Sequence, residues 1–88
     1  MYKYEEQKAW LFTDEGQRTL IKVLDLVQAL LSRSRAFKMS AIYQVPGGGD
    51  TWNLHACVDR LVELGRIREV PIADVCGQDR IFVSPFGD

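Results

Sequence analysis

Residues 46–70, PGGGDTWNLHACVDRLVELGRIREV, constrain this chain more than any other stretch. Pro46 cannot continue a helix, and three glycines follow it, so a turn is well marked there. Apolar residues then recur at helical spacing for about four turns up to Gly65, which tolerates the left-handed backbone needed just past a helix end. Asp50 or Thr51 can cap this helix with a side-chain oxygen. At about 100° per residue, Leu54, Cys57, Val58, Leu61, Val62 and Leu64 share one face, wide enough to bury against a core. The opposite face carries Trp52, Asn53, His55, Ala56, Asp59, Arg60 and Glu63. A large ring such as Trp52 on a solvent face implies something to press against.

A strand is expected after the helix, where Ile67, Val70 and Ile72 flank charged Arg68 and Glu69. Arg80–Ser84 reads as its partner, and residues 74–79, with Gly77, read as the hairpin tip. Pro71 lacks a backbone donor and so belongs on an edge.

Upstream, Thr13–Arg33 is the clearest helix. Asp14 followed by Gln17 has capping-box spacing, and Leu20, Ile21, Val23, Leu24, Leu26, Val27, Leu30 and Leu31 keep helical periodicity. Those residues cover roughly 200°, against the stripe of about 100° that suffices for a surface helix. The surplus, toward Leu26 and Leu30 or toward Ile21, calls for a second partner. The segment before it, residues 1–12, packs Tyr2, Tyr4, Trp10, Leu11 and Phe12 together. It fits a short helix or an extended arm, and its aromatics must cover either the rest of the domain or a second copy. Between the two long helices lie a basic connection, residues 32–38, with Phe37 turning inward as a short strand, and a short helix over residues 41–44 capped by Ser40.

The expected fold is therefore α+β, with an N-terminal arm at 1–12 and one domain at 13–88. Its 88 residues suffice for a single core without metal or disulfides. Nothing approaches the run of about 18 apolar residues that spans a bilayer, and no charged-then-apolar leader is present, so the expectation is a cytoplasmic protein with no membrane partner. Cys57 and Cys76 have no C-x-x-C spacing and read as free thiols. Charge is uneven: residues 1–38 hold seven Lys/Arg against five Asp/Glu, and residues 39–88 hold four against seven.

The order of elements, together with CVDRLVELGRIREV, resembles the winged helix-turn-helix superfamily over about Asp14 to Ser84. Asp59, Arg60, Leu61, Gly65 and Ile67 match the D-R-L-x-x-x-G-x-I pattern that closes the third helix of such domains. The resemblance implies three helices plus a two-stranded C-terminal wing at Asp74 to Arg80. It also implies a positioning helix from Ser40 and a recognition helix from Thr51 that exposes Trp52, Asn53, His55, Ala56 and Arg60. On that reading the chain is a DNA-binding transcriptional regulator. Asn53 would meet an adenine edge, and Arg60 a phosphate or guanine. Lys38 and Ser40 would hold phosphates near Arg33 and Arg35, and Arg80 would sit on the wing. A homodimer through Tyr2, Tyr4, Trp10, Phe12, Leu26 and Leu30 would double the contacts.

Charge favours another reading. Asp59 and Glu63 share the face of Arg60, and phosphate neutralisation supplies most non-specific DNA affinity. A protein-docking winged helix, acting as adaptor or inhibitor through Trp52 and the acidic face, suits that composition. Catalysis has no support: there is one histidine, and no nucleophile sits beside a base. No cofactor is expected. His55 and Asp59 are spaced as metal ligands but lack a third and fourth. The triple glycine lacks the lysine and the preceding strand of a phosphate loop.

Overall fold

The computed structural model describes residues 1–86 as four α-helices and a three-stranded antiparallel sheet. Tyr4 and Trp10 lie on a helix, α1 (Tyr4–Leu11), with Tyr2 ahead of it and Phe12 just past its end, joined by a two-residue corner to α2 (Asp14–Arg33). The cap of α2 falls one residue before the expected box: the Thr13 hydroxyl oxygen accepts from the Gly16 amide at 3.0 Å. Gln17 works backwards instead, donating from Nε2 to the Leu11 carbonyl at 2.6 Å and so satisfying the end of α1. The corner closes only because residue 16 has no side chain, since a Cβ there would stand 2.1 Å from the Trp10 carbonyl oxygen.

Strand β1 (Ala36–Lys38) carries buried Phe37 as expected and leads directly into α3 (Met39–Ile42). Ser40 lies inside this helix and does not cap it; the cap position is Lys38. The strand runs without a break into the helix, because the Met39 amide finds its acceptor outside it, on the Arg80 carbonyl at 2.8 Å. The turn that follows uses left-handed backbone at all three glycines, with φ of 89°, 62° and 148°.

Helix α4 (Thr51–Glu63) is capped by Asp50, which accepts from the Trp52 amide at 2.8 Å. Its far end is a Schellman motif: Gly65 at φ 74° donates to Val62, and Arg66 donates to Leu61. Strand β2 is only Arg68–Glu69, shorter than the expected run to Ile72, although Val70 still donates to Ile81 at 2.9 Å. The segment to β3 (Ile81–Val83) holds a single 3-10 turn at Gly77–Asp79.

Sheet order is β1-β3-β2: β2 and β3 pair antiparallel, and β1 joins the other edge of β3, so the sheet has three strands where two were expected, with β3 central. Phe37 stands opposite Phe82 in register, and their rings stack at 5.5 Å. Leu11, Val23, Val27, Met39, Ile42, Leu54, Val58, Leu61 and Ile67 complete the core around them. The apolar surplus on α2 splits: Leu26 and Leu30 pack partly against the core, and Ile21 is left in solvent. No helix among the described residues is long and apolar enough to cross a membrane.

The main departure from expectation concerns α4. Leu64, assigned to the buried face, is half-exposed, while His55 and Ala56, assigned to the outward face, are buried. The helix is covered on two sides, by α2 on one and by α1 on the other. A helical wheel drawn for one covered face misplaces residues once a second helix arrives.

Candidate functional site

Helix α1 and the residues before it meet α4 through polar side chains. Tyr2, just ahead of α1, donates to Asp59 Oδ2 at 2.5 Å; Tyr4 donates to Glu63 at 2.7 Å; Gln7 donates from Nε2 to Asn53 Oδ1 at 3.0 Å. Lys8 pairs with Glu63 at 2.8 Å, and Arg60 reaches the same carboxylate at 2.7 Å. These donors, from Lys8, Tyr4 and Arg60 in that order, hold the Glu63 carboxyl down at about 2.

Beside this seam, at the end of α4 nearer its N-terminus, a second network is centred on Arg80. Its guanidinium grips Glu69 with two bonds, at 2.8 and 3.0 Å, and reaches Asp59 at 2.5 Å with the same Nη2. The remaining amino group, Nη1, lies 2.8 Å from His55 Nδ1. Burial opposes the charge of Arg80, but the bonds to Glu69 and Asp59 outweigh it and hold its pKa above the ordinary value. The arginine thereby ties α4, β2 and the start of β3 to one point, with its Cζ 5.0 Å from the Phe82 ring centroid.

The tautomer of His55 follows from its partners. Arginine has only donors, so Nδ1 must accept, and the neutral ring carries its hydrogen on Nε2, 2.7 Å from the Tyr43 hydroxyl oxygen. Burial first, and then the charge of Arg80, lower the pKa of His55. Tyr43 thus receives the imidazole hydrogen, and its own hydroxyl hydrogen is directed elsewhere. Burial raises the pKa of Tyr43, and burial with the Asp59 bond raises that of Tyr2, so both hydroxyls stay protonated.

These groups line a cleft of about 540 Å³ together with Met1, Trp52, Val75, Cys76 and Gly77. Tyr2 meets Trp52 nearly edge-on at 6.5 Å and His55 at 5.2 Å. Trp52 is 43% exposed at the rim.

The residues expected to touch DNA do not form one open surface. Thr51 and Trp52 are exposed, as are Lys38 on β1 and, in part, Ser40. Asn53 is engaged by Gln7, and Arg60 by Glu63, with its guanidinium 5.3 Å from the Phe12 ring centroid. His55 and Ala56 are buried, and Arg80 is no wing-tip cation but the centre of the cleft floor. Of the residues expected at a dimer interface, Tyr2 and Tyr4 bond to α4 of their own chain. Trp10, Leu26 and Leu30 pack partly on the core, and Phe12 is exposed.

Nothing in the sequence marks Tyr43, Asp59, Glu69 and Arg80 as a group. One signal was available: Arg80 and Phe82 are two apart in a strand and face the same way, so an inward Phe82 carries Arg80 inward with it. The i, i+4 pair of His55 and Asp59 does share a binding role, but the group held between them is a guanidinium. Among the described residues no set of three His, Cys, Asp or Glu side chains is placed to hold a metal. Cys57 is a buried free thiol whose pKa burial pushes up to about 12, and Cys76 is free and exposed. No family model, curated protein or solved structure matches this chain.

Proposed function

We propose that the chain is a winged-helix docking module that takes a peptide segment of a protein partner into the cleft beside Trp52. One observation carries this reading: of the α4 side chains that would face a major groove, Asn53 is engaged by Gln7 of α1, Arg60 by Glu63, and His55 and Ala56 are buried, while the aromatic cleft beside them stays open at exposed Trp52. A half-exposed tryptophan next to tyrosines is the composition of an interface centre, where large rings gain contact area at little cost in conformational entropy. The acidic charge of residues 39–88 points the same way. Selection from a displayed peptide library tests it. The wild-type chain should enrich a defined set of peptides, and Trp52→Ala should lose them; no enrichment removes the reading.

DNA binding is the second reading, supported by Arg33, Arg35 and Lys38, which are exposed and form no salt bridge among the described residues. Anisotropy of labelled random duplex at about 50 and 200 mM salt separates the two: steeply salt-dependent binding that weakens in Lys38→Ala supports DNA, and its absence leaves docking alone. A homodimer through Leu26, Leu30 and Phe12 belongs with either reading. It predicts a doubled mass in light scattering that Leu26→Glu abolishes.

A further inference from the structure

We propose a second docking surface, separate from the cleft: the outer edge of β1, which takes up an extended acidic segment of a partner protein as an added strand. No residue of β1 lines the cleft.

The direction of the main-chain groups around β3 shows which of them stay open. The Met39 amide donates to the Arg80 carbonyl at 2.8 Å, and the Val70 amide donates to the Ile81 carbonyl at 2.9 Å. Successive residues of a strand turn their N–H and C=O groups to opposite sides, so Phe82 serves β1 while Ile81 and Val83 serve β2. Phe37 therefore faces β3, and Ala36 and Lys38 turn their main-chain groups away from the sheet. The Lys38 carbonyl lies at the cap of α3, where it accepts the first bond of that helix. Three groups remain: the Ala36 N–H, the Ala36 C=O and the Lys38 N–H. None has a main-chain partner among the described residues, and both residues are exposed. An antiparallel strand would close a bonded pair at Ala36 and take a third bond from Lys38.

The opposite edge of the sheet is blunted. There the outward residues are Glu69, whose carboxylate is held by Arg80, and Pro71, which has no N–H to offer. Only β1 presents both donors and an acceptor.

Charge selects the occupant. Arg33, Arg35 and Lys38 are exposed and form no salt bridge among the described residues, and no Asp or Glu occurs between Asp25 and Asp50. Opposite charges across a strand pair stabilise it and like charges destabilise it. A second copy paired edge to edge would set this cationic run against itself, whereas an acidic strand complements it. A nucleic-acid phosphate could meet the cations and the two amides, but it has no donor for the Ala36 carbonyl.

The test uses the whole chain, labelled with nitrogen-15. Before any addition the Ala36 and Lys38 amides should exchange with solvent faster than that of Phe37; slow exchange at both means the edge is already covered and overturns the proposal. The probe is acetyl-Glu-Thr-Glu-Thr-Glu-Thr-Glu amide, titrated into the millimolar range. It should bind saturably, shift the Ala36 and Lys38 signals and slow their exchange. Only one alternating set of its amides can face the edge, so N-methylating one set should abolish binding and N-methylating the other should not; loss with both sets, or with neither, overturns strand addition. Arg35→Glu combined with Lys38→Glu, both at exposed positions, should leave the circular dichroism spectrum unchanged. This variant should bind the probe roughly tenfold more weakly and prefer the counterpart with lysine in place of glutamate. Absence of saturable binding overturns the proposal. So does random duplex DNA that shifts these signals where the peptide does not, and so does a doubled mass in light scattering that Ala36→Pro abolishes, which would place a second copy on the edge. Trp52→Ala should leave probe binding unchanged, so this surface and the cleft stand or fall separately.

Discussion

Arg80 is the residue whose loss the molecule would feel in the most places. Replacing it with Met leaves Asp59 and Glu69 facing each other across the cleft with no cation between them, and removes the donor that fixes His55. Breaking a buried pair by deleting one member typically costs about 3–5 kcal/mol. Here Glu69 retains 37% side-chain exposure, so we expect a loss of about 2–4 kcal/mol in urea denaturation. Arg80→Lys should recover little, because an ammonium cannot grip one carboxylate with two bonds and reach a second carboxylate and an imidazole as well.

His55 sets a pH dependence whose sign is determined by its burial. Its folded pKa lies below the ordinary imidazole value of 6.5, so the unfolded chain binds the proton more readily. Stability is therefore full at neutral pH and declines as pH falls below about 6.5. Urea midpoints should drop between about pH 7.5 and 5.5 in the wild type, and His55→Gln should flatten that slope. Glu63 adds a separate loss at lower pH, between 4.5 and about 2, as its carboxylate gains a proton and releases Lys8, Tyr4 and Arg60.

At the scale of elements, the α1–α2 corner decides whether α4 is sheathed. Gly16→Ala forces a Cβ into the Trp10 carbonyl, and because the obstacle is backbone, the corner itself must open. A loss of at least about 2 kcal/mol is expected by thermal or urea denaturation. Amide exchange should quicken along α1 well before α2, since α1 fully buries only Leu11 and otherwise holds on through polar side chains near the surface.

The helices themselves were legible. The limits of α2 and α4, the inward Phe37 and the glycine stop at Gly65 all follow from periodicity and capping chemistry, because these are local effects. What escaped were the events that need two distant segments. Residues 1–12 alone do not say that α1 lies on α4, so a helical wheel drawn from the sequence places His55 and Ala56 in solvent. The cap of α2 moved to Thr13 because Gln17 was wanted by the end of α1. Nor does a three-residue β1 announce that it pairs with β3, whose partner in sequence is a two-residue strand on the other side.

Across the whole molecule, one core joins α2, α4 and the sheet, and Leu61 lies at its centre with 1% exposure. Leu61→Ala should cost about 2–5 kcal/mol, measured by urea denaturation, and should do so without affecting the Arg80 network directly. The cleft was the least legible part of the sequence, since it is built from Tyr2, Tyr43, Trp52, Glu69 and Arg80, residues spread over almost the entire length. That dispersal has a thermodynamic consequence. No fragment missing either end of the chain retains the cavity, so a compound that fills it has nothing to recognise in the unfolded ensemble. Mass action then makes occupancy and folding a single coupled equilibrium: at a hundred dissociation constants of free ligand the native state gains about 2.7 kcal/mol. A rise in melting temperature that scales with the logarithm of added compound would report the cavity's assembly from both ends of the chain at once.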